Sequence, residues 1–162
     1  MYEKGIAVNS LSKTYSIPGI RVGWVASNTE VADILRDYRD YTMICAGVFD
    51  DMVATLVLEN KEAILERNRQ IVEENLALMD TWIARESKAS WIRPASVSTS
   101  FVKLDVNRPI EDFALELLQD YGVLVVPGNR FDKESHVRIG YCCDKEVLQK
   151  GLEKLSQFLN KC

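Results

Sequence analysis

Histidine is almost missing from this chain: His136 is the only one. That excludes any metal site built on two histidines. A Ser-His-Asp arrangement would have to use that single ring, and no G-x-S-x-G elbow supports one. The four cysteines, Cys45, Cys142, Cys143 and Cys162, show neither C-x-x-C nor C-x-x-H spacing, so no metal site is expected. Cys142 and Cys143 are adjacent and cannot easily bridge to each other. Reduced thiols in a cytoplasmic protein are the expectation. No apolar run reaches the roughly 18 residues of a membrane-spanning helix. The opening "MYEKGIAVNS" has no apolar core of a signal peptide. Basic excess is also lacking: 24 acidic against 20 basic residues give a net charge of -4, which weighs against a nucleic-acid surface. No internal repeat or low-complexity segment is visible. Finally, the lysine of "SKT" is preceded by Asn9-Ser10-Leu11-Ser12 and not by glycines, so the G-x-x-x-x-G-K-[ST] phosphate loop is excluded.

What remains is an ordinary globular composition, with 47% apolar and 27% charged residues in 162, enough for one sizeable core. "GIAVNS" (5–10) and "IRVGWVAS" (20–27) read as strands around a polar turn. Residues 29–41 have helical spacing in Val31, Ile34, Leu35 and Tyr38, with Thr29 as a candidate cap. Residues 48–60 predict a more apolar, well-buried helix. Over 61–87 two sets recur every seven residues, Ile64, Ile71, Leu78 and Leu65, Val72, Met79, which predicts one long amphipathic helix. "SWIRP" and "STSFVKLDV" (98–106) read as strands. Residues 108–122 form a helix with Pro109 in its first turn and Gly122 as its stop. "VLVVPG" (123–128) is a buried strand, "HVRIGYC" (136–142) another, and 144–161 a closing helix capped by Asp144. From Trp91 onward the order is therefore β-β-α-β-β-α, an α+β layer of helices on a small sheet. The style of the sequence changes near residue 45. The fragment before it has two strands, too few to close a sheet of their own.

The turn between the first two strands, "NSLSKTYSIPGIRVGW" (9–24), carries the chemistry. A lysine amine can form a Schiff base with an aldehyde and then move protons. Ser10, Ser12 and Arg21 offer hydroxyls and a guanidinium, which bind a phosphate through charge-assisted hydrogen bonds. Gly19 and Gly23 flank the arginine and allow backbone to approach an anion or a neighbouring strand. A lone Lys or Arg in a loop is ordinarily a solvated charge. The combined spacing S-x-S-K, five residues, G-x-R-x-G is far more specific.

At "SLSKTYSIPGIRVG" the sequence resembles, position by position, the lysine signature of the class I/II pyridoxal-phosphate aminotransferases, the fold-type I group around aspartate aminotransferase. The resemblance implies that Lys13 binds pyridoxal 5'-phosphate covalently and serves as acid and base at the substrate α-carbon. It implies that Ser10, Ser12 and Arg21 bind the cofactor, chiefly at its phosphate. "YGVLVVPGNRFD…HVRIGY" is similar to the family's later segment, and this maps the substrate-carboxylate role onto Arg138, a bidentate grip. Gly128 and Asn129 would shape a loop near the substrate. Asn9, Tyr15, Arg130 and His136 receive no role.

The resemblance covers nearly the whole chain but only the family's C-terminal part. The fold it implies is a small α+β C-terminal domain, helices on a small sheet, preceded by a fragment of the α/β large domain. Residues 1–44 would be the tail of the cofactor-binding large domain, and 45–162 the long linking helix and small domain. The ring-binding residues of the family, including the carboxylate at the pyridine nitrogen, cannot lie here with the lysine at position 13. The expected function is part of an aminotransferase moving an amino group between an amino acid and a 2-oxo acid, inactive alone and a cytoplasmic homodimer by family habit. The family members' interface falls near 43–50. Alternatives are a C–S or other β-lyase of the same fold, or a non-catalytic dimerisation or carboxylate-binding module.

Overall fold

A computed structural model describes residues 3–161 of the chain. Two compact units are present, divided between Asn68 and Arg69. The division falls inside a helix, some way past residue 45 where the sequence changes style, because the residues that follow 45 help to bury the lysine turn.

In the first unit, strands β1 (Ala7–Ser10) and β2 (Gly23–Ala26) form an antiparallel pair. Ser10 lies opposite Gly23, and a Cβ there would sit 2.5 Å from the Asn9 carbonyl oxygen. Gly23 is thus required by the neighbouring strand. Helix α1 (Thr29–Arg39) is capped one residue earlier than expected. Asn28, not Thr29, is the N-cap, and its side chain accepts a hydrogen bond from the Val31 amide at 2.9 Å. The amide side chain of Asn28 also donates to the Glu3 carbonyl, at 3.2 Å. This double use explains the choice of Asn over Thr.

Helix α2 (Val48–Glu59) corrects an expectation. Its apolar composition predicted deep burial, but only Ala54 and Val57 are buried. Phe49, Met52 and Leu56 are exposed. Composition counts apolar side chains and cannot tell which faces have something to pack against. Ala54 and Val57 join Leu11 in a small cluster, with Tyr15, Ile17, Ile20, Val22 and Ile64 packed around it.

Helix α3 (Lys61–Arg85) is the single long helix its periodicity predicts. Ile64 belongs to the first unit's cluster, while Met79 is fully buried in the second unit's core, with Val72 and Leu78 packed against it.

The second unit has one four-stranded antiparallel sheet in the order β3-β4-β6-β5, with β3 (Ala89–Trp91), β4 (Thr99–Leu104), β5 (Val126–Pro127) and β6 (His136–Gly140). Two calls shorten. "SWIRP" gives strand only as far as Trp91, and Ile92 is almost fully exposed. The expected strand 123–128 pairs only at Val126–Pro127, because Gly128 opens a 3-10 turn, Gly128–Phe131. Helix α4 (Ile110–Tyr121) has Pro109 at its N-cap and ends at Gly122, which takes the left-handed φ of 66°. That conformation is the reason for glycine at this stop. Helix α5 (Lys145–Leu159) is capped by Asp144, whose carboxylate accepts from the Glu146 amide at 2.9 Å.

Alternation along the strands divides the sheet. Val102, Leu104, Val137 and Ile139 face the helices and form the core with Ile110, Phe113, Leu117, Leu148, Leu152 and Leu155. Phe101, Lys103, His136 and Arg138 occupy the alternate positions, with Phe101 opposite Arg138 and Lys103 opposite His136. Buried Asn75 of α3 donates to the carbonyls of Tyr141 and Cys143, at 2.7 and 2.8 Å, and so ties the helix to the chain leaving β6. A second buried link runs from Trp82 through the Ser156 hydroxyl to the Glu86 carboxylate, both steps 2.8 Å.

Candidate functional site

The lysine turn is built around one residue. Leu11 is completely buried, its amide donates to the Val22 carbonyl at 3.1 Å, and its carbonyl accepts from Ile17 at 3.1 Å. The backbone of this leucine is thus held on both sides while its side chain fills the small core. Two residues later the chain has turned outward, and Lys13 is exposed. Its carbonyl accepts from the Ser16 amide at 3.1 Å, closing a tight turn in which Ser16 has a φ of 58°. Asn68 of α3 donates to the Thr14 carbonyl at 2.9 Å and braces the outer side of that turn. Among the described residues the Lys13 amine has no hydrogen-bond or ion-pair partner, so nothing must be displaced to use it.

Ser10, Ser12 and Arg21 lie in the same β1–β2 connection. The Ser10 hydroxyl accepts from the Ser12 amide at 3.3 Å, a local bond that bends the chain toward the lysine. Arg21 has a φ of 51°, unusual for a side chain of this size, and its guanidinium donates to the Pro18 carbonyl at 2.7 Å. That bond uses one of five N–H donors. No acidic residue pairs with Arg21 among the described residues. One turn therefore gathers an amine, hydroxyls and a guanidinium with donors to spare, a set suited to an aldehyde bearing a phosphate. Gly19 has open space where a Cβ would be, so closeness to a neighbour does not require glycine there.

Arg138 stands in the second unit, exposed in the centre of β6. Its guanidinium carbon lies 5.4 Å above the Phe131 ring. Phe131 meets Phe101 edge to face at 5.8 Å, and Phe101 stacks on His136 at 4.8 Å. The arginine thus has an aromatic floor and, among the described residues, no acidic partner. His136 is held below the usual histidine pKa, first by burial and then by Lys133 and Lys103. Near neutral pH this ring therefore adds little positive charge beside Arg138. Arg130 and Asn129 are engaged elsewhere: both donate to the Glu111 carboxylate. Gly128 is buried, and a Cβ there would collide with the Lys133 and His136 carbonyls.

Sequence reasoning missed three supports. Register brings Phe101 opposite Arg138, and the 3-10 turn after β5 brings Phe131 beneath it. Asn68 reaches Thr14 across 54 positions, which no local pattern signals. Leu11 was legible in principle, as the one apolar residue within "NSLSKT".

Comparison with known proteins identifies the family and the fold. The structure superposes on the crystal structure of a PLP-dependent aminotransferase from Streptococcus suis 89-1591 with a TM-score of 0.96 and 68% identity, over 98% of this chain and 42% of that one. The chain matches the aminotransferase class I and II family over residues 1–155, and it belongs to that family. It is similar to capreomycidine synthase of Streptomyces vinaceus, 28% identical over 97% of this chain and 41% of that protein. It is also similar to a probable N-acetyl-LL-diaminopimelate aminotransferase of Bacillus subtilis, 27% identical over 98% of this chain and 41% of the relative. The chain thus spans about two-fifths of the length of these relatives. Its architecture is the C-terminal portion of the fold-type I fold, as the lysine signature implied.

Among the described residues no helix is long and apolar enough to cross a membrane. The described cysteines, Cys45, Cys142 and Cys143, are free thiols, and Cys162 lies outside the described residues.

Proposed function

We propose that this chain is the C-terminal part of a pyridoxal-phosphate-dependent aminotransferase, acting between an amino acid and a 2-oxo acid. The observation that carries the reading is the lysine turn: an unpaired amine held beyond a buried leucine, beside hydroxyls and a guanidinium with free donors. When bound, the cofactor supplies the electron sink for chemistry at the substrate α-carbon. The residues of the turn fit it. The Lys13 amine holds the cofactor aldehyde covalently and, once released, takes and returns the proton at the α-carbon. Ser10, Ser12 and Arg21 hold the phosphate, and Arg138 grips the substrate carboxylate through two parallel N–H donors. Residues 1–44 are the tail of the cofactor-binding domain, and residues 45–162 are the long linking helix and the small domain. Partners on this reading are the two substrates and a second copy of the chain. Exposed Tyr41, Met43, Ile44 and Phe49 support self-association, and light scattering tests it.

The resemblance places the ring-binding carboxylate outside this span, so the chain by itself is expected to turn over little. Rates typical of full-length enzymes, with an amino acid and a 2-oxo acid, would overturn that expectation. The reading itself is tested by borohydride reduction in excess cofactor, followed by peptide mapping. A reduced adduct on Lys13 is expected; its absence favours a non-catalytic module. A second reaction class has its own support, since capreomycidine synthase is as similar to this chain as the aminotransferases of comparable identity. In a complemented enzyme, release of ammonia in place of a new amino acid would mark a lyase.

A further inference from the structure

Cys142 and Cys143 take no part in the proposed function, yet they form a distinctive feature of the second unit. They sit between the end of β6 at Gly140 and the Asp144 cap of α5, and both are exposed free thiols. The backbone around them is fixed. Asn75 is buried, and its amide nitrogen donates to the carbonyls on either side of the Cys142 residue, those of Tyr141 and Cys143, at 2.7 and 2.8 Å. The Tyr141 side chain beside them is fully buried, and its hydroxyl donates to the Val97 carbonyl. The two exposed thiols therefore stand on a backbone tied down by hydrogen bonds at Tyr141 and Cys143.

Geometry discourages the pair from oxidising to a disulfide. Adjacent Cα atoms are held about 3.8 Å apart by a trans peptide, whereas disulfides usually need about 4.4–6.8 Å. A bridging atom larger than a direct sulfur–sulfur bond relaxes this restriction, because the two sulfurs need only converge on a shared centre. The two sulfurs already sense one another. Partial desolvation raises the Cys142 pKa above the ordinary thiol value, and the neighbouring Cys143 thiolate raises it further. Condensation with an incoming thiophilic group takes one proton from each thiol.

We propose that Cys142 and Cys143 form a bidentate dithiol site for thiophilic trivalent metalloids, with trivalent arsenicals as the ligand class. For an organoarsenic oxide the step is a condensation. Two As–S bonds form, the As=O bond and two S–H bonds are broken, and the oxygen leaves with both protons as one water. Arsenic remains trivalent, so no oxidant or reductant is consumed. Cys45, in the first unit, has no adjacent cysteine and offers only one sulfur.

The test is titration of the reduced chain with phenylarsine oxide, read by intact mass spectrometry in a large excess of a monothiol. One arsenical per chain is expected to survive the monothiol and to be stripped by a small dithiol. C142S and C143S should each lose the monothiol-resistant adduct, while C45S and C162S keep it. Peptide mapping of the unmodified sequence's adduct provides a reading that needs no variant, and it should place the mass on the Cys142–Cys143 peptide. An adduct that the monothiol removes from the parent chain, or that persists in C142S, or that maps elsewhere, overturns the proposal.

Discussion

The two compact units differ most in how much they bury. Among the described residues the second has eighteen buried apolar residues in one cluster, drawn mostly from three helices and both central strands of a four-stranded sheet. The first has three, Leu11, Ala54 and Val57, although its sequence is no poorer in apolar side chains. Val8, Trp24, Ile34, Leu35, Tyr38 and Phe49 are among those left in solvent. A two-stranded pair cannot bury both faces, and on its own it is marginal in water. The unit that carries the candidate lysine is therefore the one with the smaller buried core. The large core and the candidate lysine thus belong to different units, and that contrast can be tested experimentally.

The largest effect concerns the amine itself. Lys13→Ala should abolish the borohydride-fixed cofactor adduct completely, yet leave the thermal unfolding of the second unit unchanged, since Lys13 is exposed and unpaired. A loss of both would mean that the turn supports the fold. A persisting adduct would mean that another lysine is the reactive one.

Two phenylalanines sharpen the contrast. Phe113 is fully buried and tilted against Phe158 at 4.8 Å, so Phe113→Ala should cost about 3–5 kcal/mol in chemical denaturation. Phe49 is 83% exposed, and Phe49→Ala should fall within about 0.5 kcal/mol of the parent. A large cost at Phe49 would indicate that self-association covers it. Hydrogen exchange should agree, with strong protection along β4 and β6 and fast exchange along β1 and β2.

A smaller effect is expected at Arg21, where the positive φ stores strain of about 1–2 kcal/mol for a residue with a side chain. Arg21→Gly removes that strain and the bond to Pro18. Stability of the first unit should change by no more than about 1 kcal/mol, while capture of pyridoxal phosphate weakens. Equal capture by the variant would show that the guanidinium does not serve the phosphate.

Much of this was legible from residues alone. The alternation of strands and helices after Trp91, the long helix over 61–85, the Gly122 stop and the Asp144 cap all follow from local rules, and local rules are written in adjacent residues. The lysine turn stood out because the chemistry proposed for it needs several residue types at fixed spacing. What could not be seen is what depends on distant partners. Phe49 and Leu56 look like core residues until one asks what would lie against them. Asn28 displaces Thr29 as cap because Glu3, 25 positions away, supplies a second bond. The aromatic floor under Arg138 exists only once the 3-10 turn has folded beside β6 and β4 has paired with β6. Gly128 looked like a loop-shaping residue, and its actual constraint is the pair of carbonyls closing over it.

The smallest effect tests whether the second unit's stability extends to its exposed face. His136 stacks on Phe101, and burial, then Lys133, then Lys103, lower its pKa from the ordinary value. The unfolded chain therefore takes up a proton at a higher pH than the folded chain does. The folding advantage of the neutral ring is fully present above the unfolded pKa and is lost as pH falls through the lower, folded value. The second unit should show a slight decline in melting temperature between about pH 8 and about pH 5.5, on top of the change due to carboxylates. His136→Gln keeps a polar, uncharged side chain and should flatten that part of the profile. Lys103→Met should do so partially, since it removes the smaller of the two lysine contributions. If the profiles of parent and His136→Gln coincide, the face carrying Arg138 is electrostatically open to solvent, and the arginine's grip on a carboxylate would then depend on its aromatic floor and on its paired donors.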